Sequence, residues 1–231
     1  MSQRTVTFVE GEFYHLYNRG NSKQLIFVDD IDRDRFVKLL YLCNSSTKFD
    51  FRDDIVKSKI SAFDFERGNT VIAIGAWVLM PNHFHIYATI PAGNPVTGKR
   101  GELSNPISDY MHRVEKAYSR YFNARHKRTG SLFEGRFKST HVNNDNYAKY
   151  LFSYIHLNPV KLIQGDWKEK GIRDTNEALN YLKDYKWSSF ADFNNKKRPQ
   201  SRILDTNVFP DYFPNKNDFR KEIIEWITLS R

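Results

Sequence analysis

Thr70-Val71-Ile72-Ala73-Ile74-Gly75-Ala76-Trp77-Val78-Leu79-Met80-Pro81-Asn82-His83-Phe84-His85-Ile86-Tyr87-Ala88-Thr89-Ile90 decides the fold. Residues 70–80 form an apolar, β-rich run, the composition of a central strand buried on both faces. Pro81-Asn82 is a tight break, and residues 83–90 then alternate. Together the two segments predict a β-hairpin.

Working outward, Glu12-Phe13-Tyr14-His15-Leu16-Tyr17-Asn18 alternates and predicts a strand, closed by the turn chemistry of Asn18-Arg19-Gly20-Asn21. Asp32 to Leu42 has helical spacing at Phe36, Leu39, Leu40 and Cys43, with acidic residues in its first turn. Residues 44–70 read as an insert that is partly helical, and 91–107 as a loop. Ile107 to Ala124 places Tyr110, Val114, Ala117, Tyr118 and Tyr121 on one helical face. Gly130 to Val142 reads as loop or short strands. Asn144 to Leu157 is a second helix, capped at Asn144 or Asp145 and closed by Asn158-Pro159. Beyond it lie a Trp187-Ser188-Ser189-Phe190 element, a polar linker at 194–199 and an amphipathic helix from Asn217 to Leu229. This order predicts an α+β fold: an antiparallel sheet with helices on one face.

A chain of 231 residues can bury a real core, and the composition is that of a globular protein. The single cysteine, Cys43, excludes an intrachain disulfide, suits a reducing compartment and reads as a buried small hydrophobe. No stretch reaches the roughly 18 apolar residues of a membrane span, and the N-terminus has no apolar signal core, so a cytoplasmic protein is expected.

The net charge is +9. Between Met111 and His141, eight basic residues (Arg113, Lys116, Arg120, Arg125, Lys127, Arg128, Arg136 and Lys138) face only Glu115 and Glu134, a balance of +6. Tyr118, Tyr121, Phe122, Phe133 and Phe137 are interleaved with them. Cations bind phosphates and aromatic faces stack bases, so the stretch suits nucleic acid; a solvated face over a buried aromatic stripe has the same pattern.

On a strand, His83 and His85 share a face while Phe84 points into the core. Two adjacent imidazoles suit a metal, although His-x-His alone also describes two ordinary histidines. Tyr150, Tyr154 and Asn158 are spaced four apart and share a helical face. A tyrosine is a weak nucleophile unless its target is activated, as a metal does for a phosphate. The amide oxygen of Asn158 is a hard ligand suited to Mg²⁺ or Mn²⁺, with Pro159 leaving the local helix geometry open. Read alone, Tyr154 also fits a packed core residue.

Three ordered motifs go further: Trp77-Val78-Leu79-Met80-Pro81-Asn82-His83-Phe84-His85, Gly130-Ser131-Leu132-Phe133-Glu134-Gly135-Arg136-Phe137-Lys138 and Tyr154-Ile155-His156-Leu157-Asn158-Pro159-Val160. They resemble the HUH single-tyrosine transposases, and within them the REP-associated tyrosine transposase branch. Tyr14-His15-Leu16-Tyr17-Asn18-Arg19-Gly20-Asn21 resembles that family's first strand and turn. The resemblance covers roughly residues 10 to 190, giving a domain over 1–195, with 44–70 as an insert, and a tail over 196–231. It implies a ferredoxin-like (RRM-like) HUH core with the histidines on a central strand. It implies that His83 and His85 bind Mg²⁺ or Mn²⁺, that Asn158 completes the metal shell, and that Tyr154 attacks DNA. A 5′-phosphotyrosine and a free 3′-OH follow, and rejoining needs no ATP. By position Arg136 and Lys138 contact backbone phosphates, as does Arg19 near the first turn. The basic loop Arg125-His126-Lys127-Arg128 adds further DNA contacts. His156 reads as structural or as a DNA contact.

The expected partner is single-stranded or hairpin DNA, with no membrane, and a monomer or a homodimer. A catalytically silent nucleic-acid-binding regulator on the same fold is the alternative; intact His83, His85 and Tyr154 argue against it. A zinc hydrolase ranks last, because the sequence offers an amide at Asn158 where a third His, Cys or carboxylate is wanted.

Overall fold

The hairpin forms between β2 (Ala73–Met80) and β3 (His83–Thr89). These strands belong to the chain order β1 (Phe13–Arg19), α1 (Asp30–Leu42), β2, β3, α2 (Pro106–Arg125), β4 (Lys138–Val142), as described in a computed structural model. Residues 7–93, 105–194 and 196–211 are described, with 219, 221–223 and 225. The strands pair antiparallel in the order β2-β3-β1-β4. That βαββαβ order is ferredoxin-like, in agreement with the sequence reading. α3 (Asp145–Leu157), α4 (Trp167–Lys170), α5 (Thr175–Asp184) and α6 (Phe190–Phe193) follow.

Each long helix starts at a side-chain cap, of which the sequence reading names that of α3. Asp29 accepts from the Asp32 amide, Asn105 caps α2 ahead of Pro106, and Asn144 accepts from the Tyr147 amide at 2.8 Å.

The helices do not lie on one face, as the sequence suggested, but on both. Leu16, Trp77, Leu79, Phe84 and Ile86 pack with residues of α1 and α2 such as Phe36, Leu40, Tyr110 and Tyr118. Ala76, Val78, Met80 and Tyr87 pack on the other face with Leu151 and Ile155 of α3, Leu182 of α5 and Phe190 of α6. The reason is visible in β2, which is buried at all eight positions. Its alternate side chains are apolar on both faces, so both need a cover. A register shift between Ile74 and Ala76 passes through Gly75, where an added Cβ would stand 2.9 Å from the Phe209 ring.

β2 is also the last strand of the sheet rather than a central one. Its outer edge is covered by a strap: Leu79 N–H donates to Trp187 O (2.9 Å), Ser189 N–H to Trp77 O (2.9 Å), and Asp205 N–H to Ile74 O (3.0 Å). His156 locks the strap to α3. It lies fully buried, with Nδ1 on the Phe152 carbonyl and Nε2 2.7 Å from Ser189 Oγ.

The span 44–70 is packed rather than loose. Asn44 clamps it through Ile72 O (2.8 Å) and the Val71 amide (2.9 Å), and Ile55, Ala62 and Phe63 are buried. Cys43 is buried and free, and burial pushes its thiol up to about 12. Of the helix expected over 217–229, residues 219, 221–223 and 225 are helical, with Phe219 and Ile223 buried; the remainder lies outside the described residues.

Arg198 ties the segment after residue 195 to the strap. It pairs with Asp192 (2.6 Å), donates to Lys186 O (2.6 Å) and reaches Ser188 O. Their side chains are only 9% and 5% exposed. Arg198→Ala would strand the Asp192 carboxylate, and we expect a loss of about 3 kcal/mol, read as a lower urea midpoint at unchanged slope. An unshifted midpoint would show that the pair does not anchor the strap.

Candidate active site

His83 and His85 project from β3 toward the α3 layer, while Phe84 between them packs against Phe36 (centroids 5.0 Å) on the opposite face. Antiparallel register sets Arg19 opposite His83 and Tyr17 opposite His85. The two imidazole centroids are 5.0 Å apart. His85 is buried; its Nδ1 lies 2.8 Å from Nε2 of His15, and its own Nε2 has no hydrogen-bond partner among the described residues. His83 holds Asn82 Oδ1 at 2.7 Å through Nδ1 and also bonds the Asn158 side chain.

Burial keeps these rings neutral. It pulls His15 and His83 down to about 4, with Lys161, Lys168 and Arg19 adding repulsion at His83. It holds His85 well below the usual histidine range, with the neighbouring histidines contributing.

α3 brings the other two residues. Asn158 keeps helical geometry despite Pro159 (φ −51°, ψ −39°), and its N–H bonds the Tyr154 carbonyl, so the two sit one turn apart. Tyr154 meets the edge of His85 at 5.4 Å and stacks on Tyr150 at 6.0 Å. Lys168 of α4 places Nζ 4.1 Å above the Tyr154 ring. Asn158 is buried, and its Nδ2 has no partner among the described residues.

These atoms suit a divalent cation. A buried imidazole nitrogen without a partner is a costly thing to leave in a core, and a metal satisfies it. His83, His85 and Asn158 would supply two neutral nitrogens and an amide, a donor set that fits such an ion. No group of three or more His, Cys, Asp or Glu arranged for a metal occurs among the described residues, so a closed zinc site of the structural type does not form there.

The cleft around this cluster has a cationic rim of Arg19, Lys23, Lys138 and Lys161. Arg19 is paired with Glu134, one contact being Nη2 to Oε1 at 2.9 Å. Lys138 is exposed on β4 opposite Tyr17, and Arg136 is exposed just before it. Arg125, Lys127 and Arg128 do not line the cleft. Arg125 is taken up by Asp29 (2.6 Å) and by the fully buried Asp32. His126, expected to reach phosphate, lies 2.9 Å from Asp32 instead, because that buried carboxylate needs partners. Arg128 lies over Phe122, and Lys127 is exposed with a left-handed backbone (φ 49°).

A solved structure has a similar fold. It is that of a REP-associated tyrosine transposase bound to a REP hairpin, with a TM-score of 0.52 at 16% identity, covering 91% of this chain and 96% of that one. The likeness is one of fold. No family model and no curated protein sequence matches the chain. No described helix is long and apolar enough to cross a membrane.

Sequence reasoning passed over His15, Lys23, Lys161 and Lys168. Lys161 sits three residues beyond Asn158, so its signal was at hand. His15 and Lys168 arrive from separate elements, and nothing local marks them.

The neutral histidines set an acid limit. A histidine depressed on folding binds its proton more readily in the unfolded chain, so stability is complete above about pH 6.5 and falls with pH below it. The loss continues to about 4 for His15 and His83 and to about 3 for His156. At about pH 5, His156 alone should cost on the order of 2 kcal/mol. Urea unfolding of the metal-free protein at about pH 7.5 and about pH 5 measures it; equal free energies would mean the rings are not held neutral.

Proposed function

We propose that this protein is a DNA strand transferase of the HUH tyrosine transposase kind, of the REP-associated branch, acting on single-stranded or hairpin DNA. One observation carries the reading: Tyr154 and Asn158, one helical turn apart, meet the histidine pair, Tyr154 against His85 (centroids 5.4 Å) and Asn158 bonded to His83, where the buried His85 Nε2 has no partner among the described residues. A core that merely packed would not aim a buried unpaired nitrogen and a tyrosine at one cationic cleft.

In this reading His83, His85 and Asn158 hold Mn²⁺ or Mg²⁺. The bound ion supplies Lewis-acid withdrawal of charge from the scissile phosphate. Imidazole nitrogens favour Mn²⁺ over the more oxygen-seeking Mg²⁺. The Tyr154 hydroxyl oxygen forms a bond to phosphorus as the bond from phosphorus to the 3′-oxygen breaks. The phenol proton is given up, and the leaving oxygen ends as a 3′-OH. Lys168, with Nζ above the Tyr154 ring, holds that ring in place by a cation–π contact. Reversal by a 3′-OH restores the tyrosine and conserves the phosphodiester energy.

Lys138, Lys161 and Arg19 hold the flanking phosphates. The Arg19–Glu134 pair is exposed, so it costs little for a phosphate to displace Glu134. Arg136, Lys127 and Arg128 lie outside the cleft and would extend the contact, whereas Arg125 holds the scaffold through Asp29 and Asp32.

The decisive experiment is a denaturing gel of protein incubated with single-stranded DNA from the flanks of its own gene and Mn²⁺ or Mg²⁺. A slow band that survives denaturant, needs metal and disappears in Tyr154→Phe is the expected result; normal nicking by that variant would remove Tyr154 from the chemistry. Lys138→Ala should weaken single-strand binding and lower the salt slope by about 0.7, whereas Arg125→Ala should lower the urea midpoint and leave that slope alone. Equal salt slopes for wild type and Lys138→Ala would take Lys138 out of the phosphate path.

A further inference from the structure

Two buried imidazoles in contact share one hydrogen-bonding proton, and where it sits decides which nitrogen of His85 has a lone pair. His15 Nε2 and His85 Nδ1 are 2.8 Å apart. The rings are 29° from coplanar with centroids 4.9 Å apart, the edge-to-edge arrangement of an in-plane N–H···N bond. We propose that His15 is a positioning residue that accepts the Nδ1 proton of His85 and so fixes the tautomer in which Nε2 of His85 is a bare, metal-ready nitrogen. This rests on the metal site proposed above.

Two arrangements are open to the pair. If His15 donates, His85 must carry its proton on Nε2, where no partner exists among the described residues. That is a buried orphan N–H, the rarer and costlier defect, and it blocks a cation. If His85 donates, its Nε2 is an acceptor, which a cation satisfies. The second arrangement needs an acceptor at position 15, supplied by His15 with its own proton on Nδ1.

The scaffold holds His15 still. It sits in β1, between β3 and β4, with Tyr87 and Thr140 as its cross-strand partners, and the Tyr17 ring lies 4.7 Å away. His15 is buried, so its part is to orient a ligand.

The test uses the full-length protein without DNA. Mn²⁺ affinity is measured by electron paramagnetic resonance for wild type, His15→Leu and His15→Gln, with urea midpoints as the check on folding. His15→Leu should bind about 10- to 100-fold more weakly, and His15→Gln, whose amide oxygen can accept, should retain most of the affinity. Long-range ¹H–¹⁵N spectra of the metal-free wild type should place the His85 proton on Nδ1. Wild-type affinity in folded His15→Leu, or a proton on Nε2 of His85, overturns the proposal. If wild type bound no Mn²⁺, the metal reading would fall, and the spectra would still decide the tautomer.

Discussion

The antiparallel pairing of β1 with β3 is the constraint on which everything else rests. It sets Tyr17 against His85 and Arg19 against His83, and places His15 diagonally behind His85. A slip of one residue would turn His83 and His85 into the layer of α1 and α2 and drive Phe84 out of it. Burial of Phe84 against Phe36 on one face therefore determines that imidazoles, not a phenyl ring, meet α3 on the other. The core and the candidate site are two sides of the same register.

The second helical layer adds Tyr154 to the side chains that this register brings together. α3 alone would leave Tyr154 on a surface helix; packed on β2 and β3 it brings the ring to within 5.4 Å of the His85 ring. The strap of Trp187 and Ser189 holds the layer through His156, a residue that touches no part of the cleft yet fixes how α3 sits. Cations then come from four directions: β1, the turn after it, β4 and the segment following α3. They come from three stretches far apart in the chain, Arg19 with Lys23, Lys138, and Lys161, so the positive cleft is a property of the fold.

What the sequence revealed follows from how local each signal is. The hairpin, the cap at Asn144, and the shared face of Tyr154 and Asn158 depend on residues within a few positions of one another, and all are legible. Helices on both faces were not, although the unbroken apolar run of β2 contained the information; the alternation of β3 drew the eye to a single buried face. The edge position of β2 was hidden because its cover comes from a hundred residues downstream. Arg125 illustrates the opposite limit: charge composition groups it with the expected phosphate contacts, and only tertiary structure shows it bound to Asp29 and Asp32. His15 was invisible for the same reason, since its meaning is given by His85, seventy residues away.

The strap has one more consequence. With β2 covered, β4 is the sheet's open edge among the described residues, only five residues long and begun by Lys138. A short edge headed by a lysine discourages the stacking of sheets into aggregates, because a second chain would have to bury that charge against its own backbone. The same lysine lies on the rim of the cleft. One side chain thus sets both the charge of the sheet's open edge and part of the charge of the cleft, so the edge's resistance to a pairing strand and the cleft's electrostatics change together.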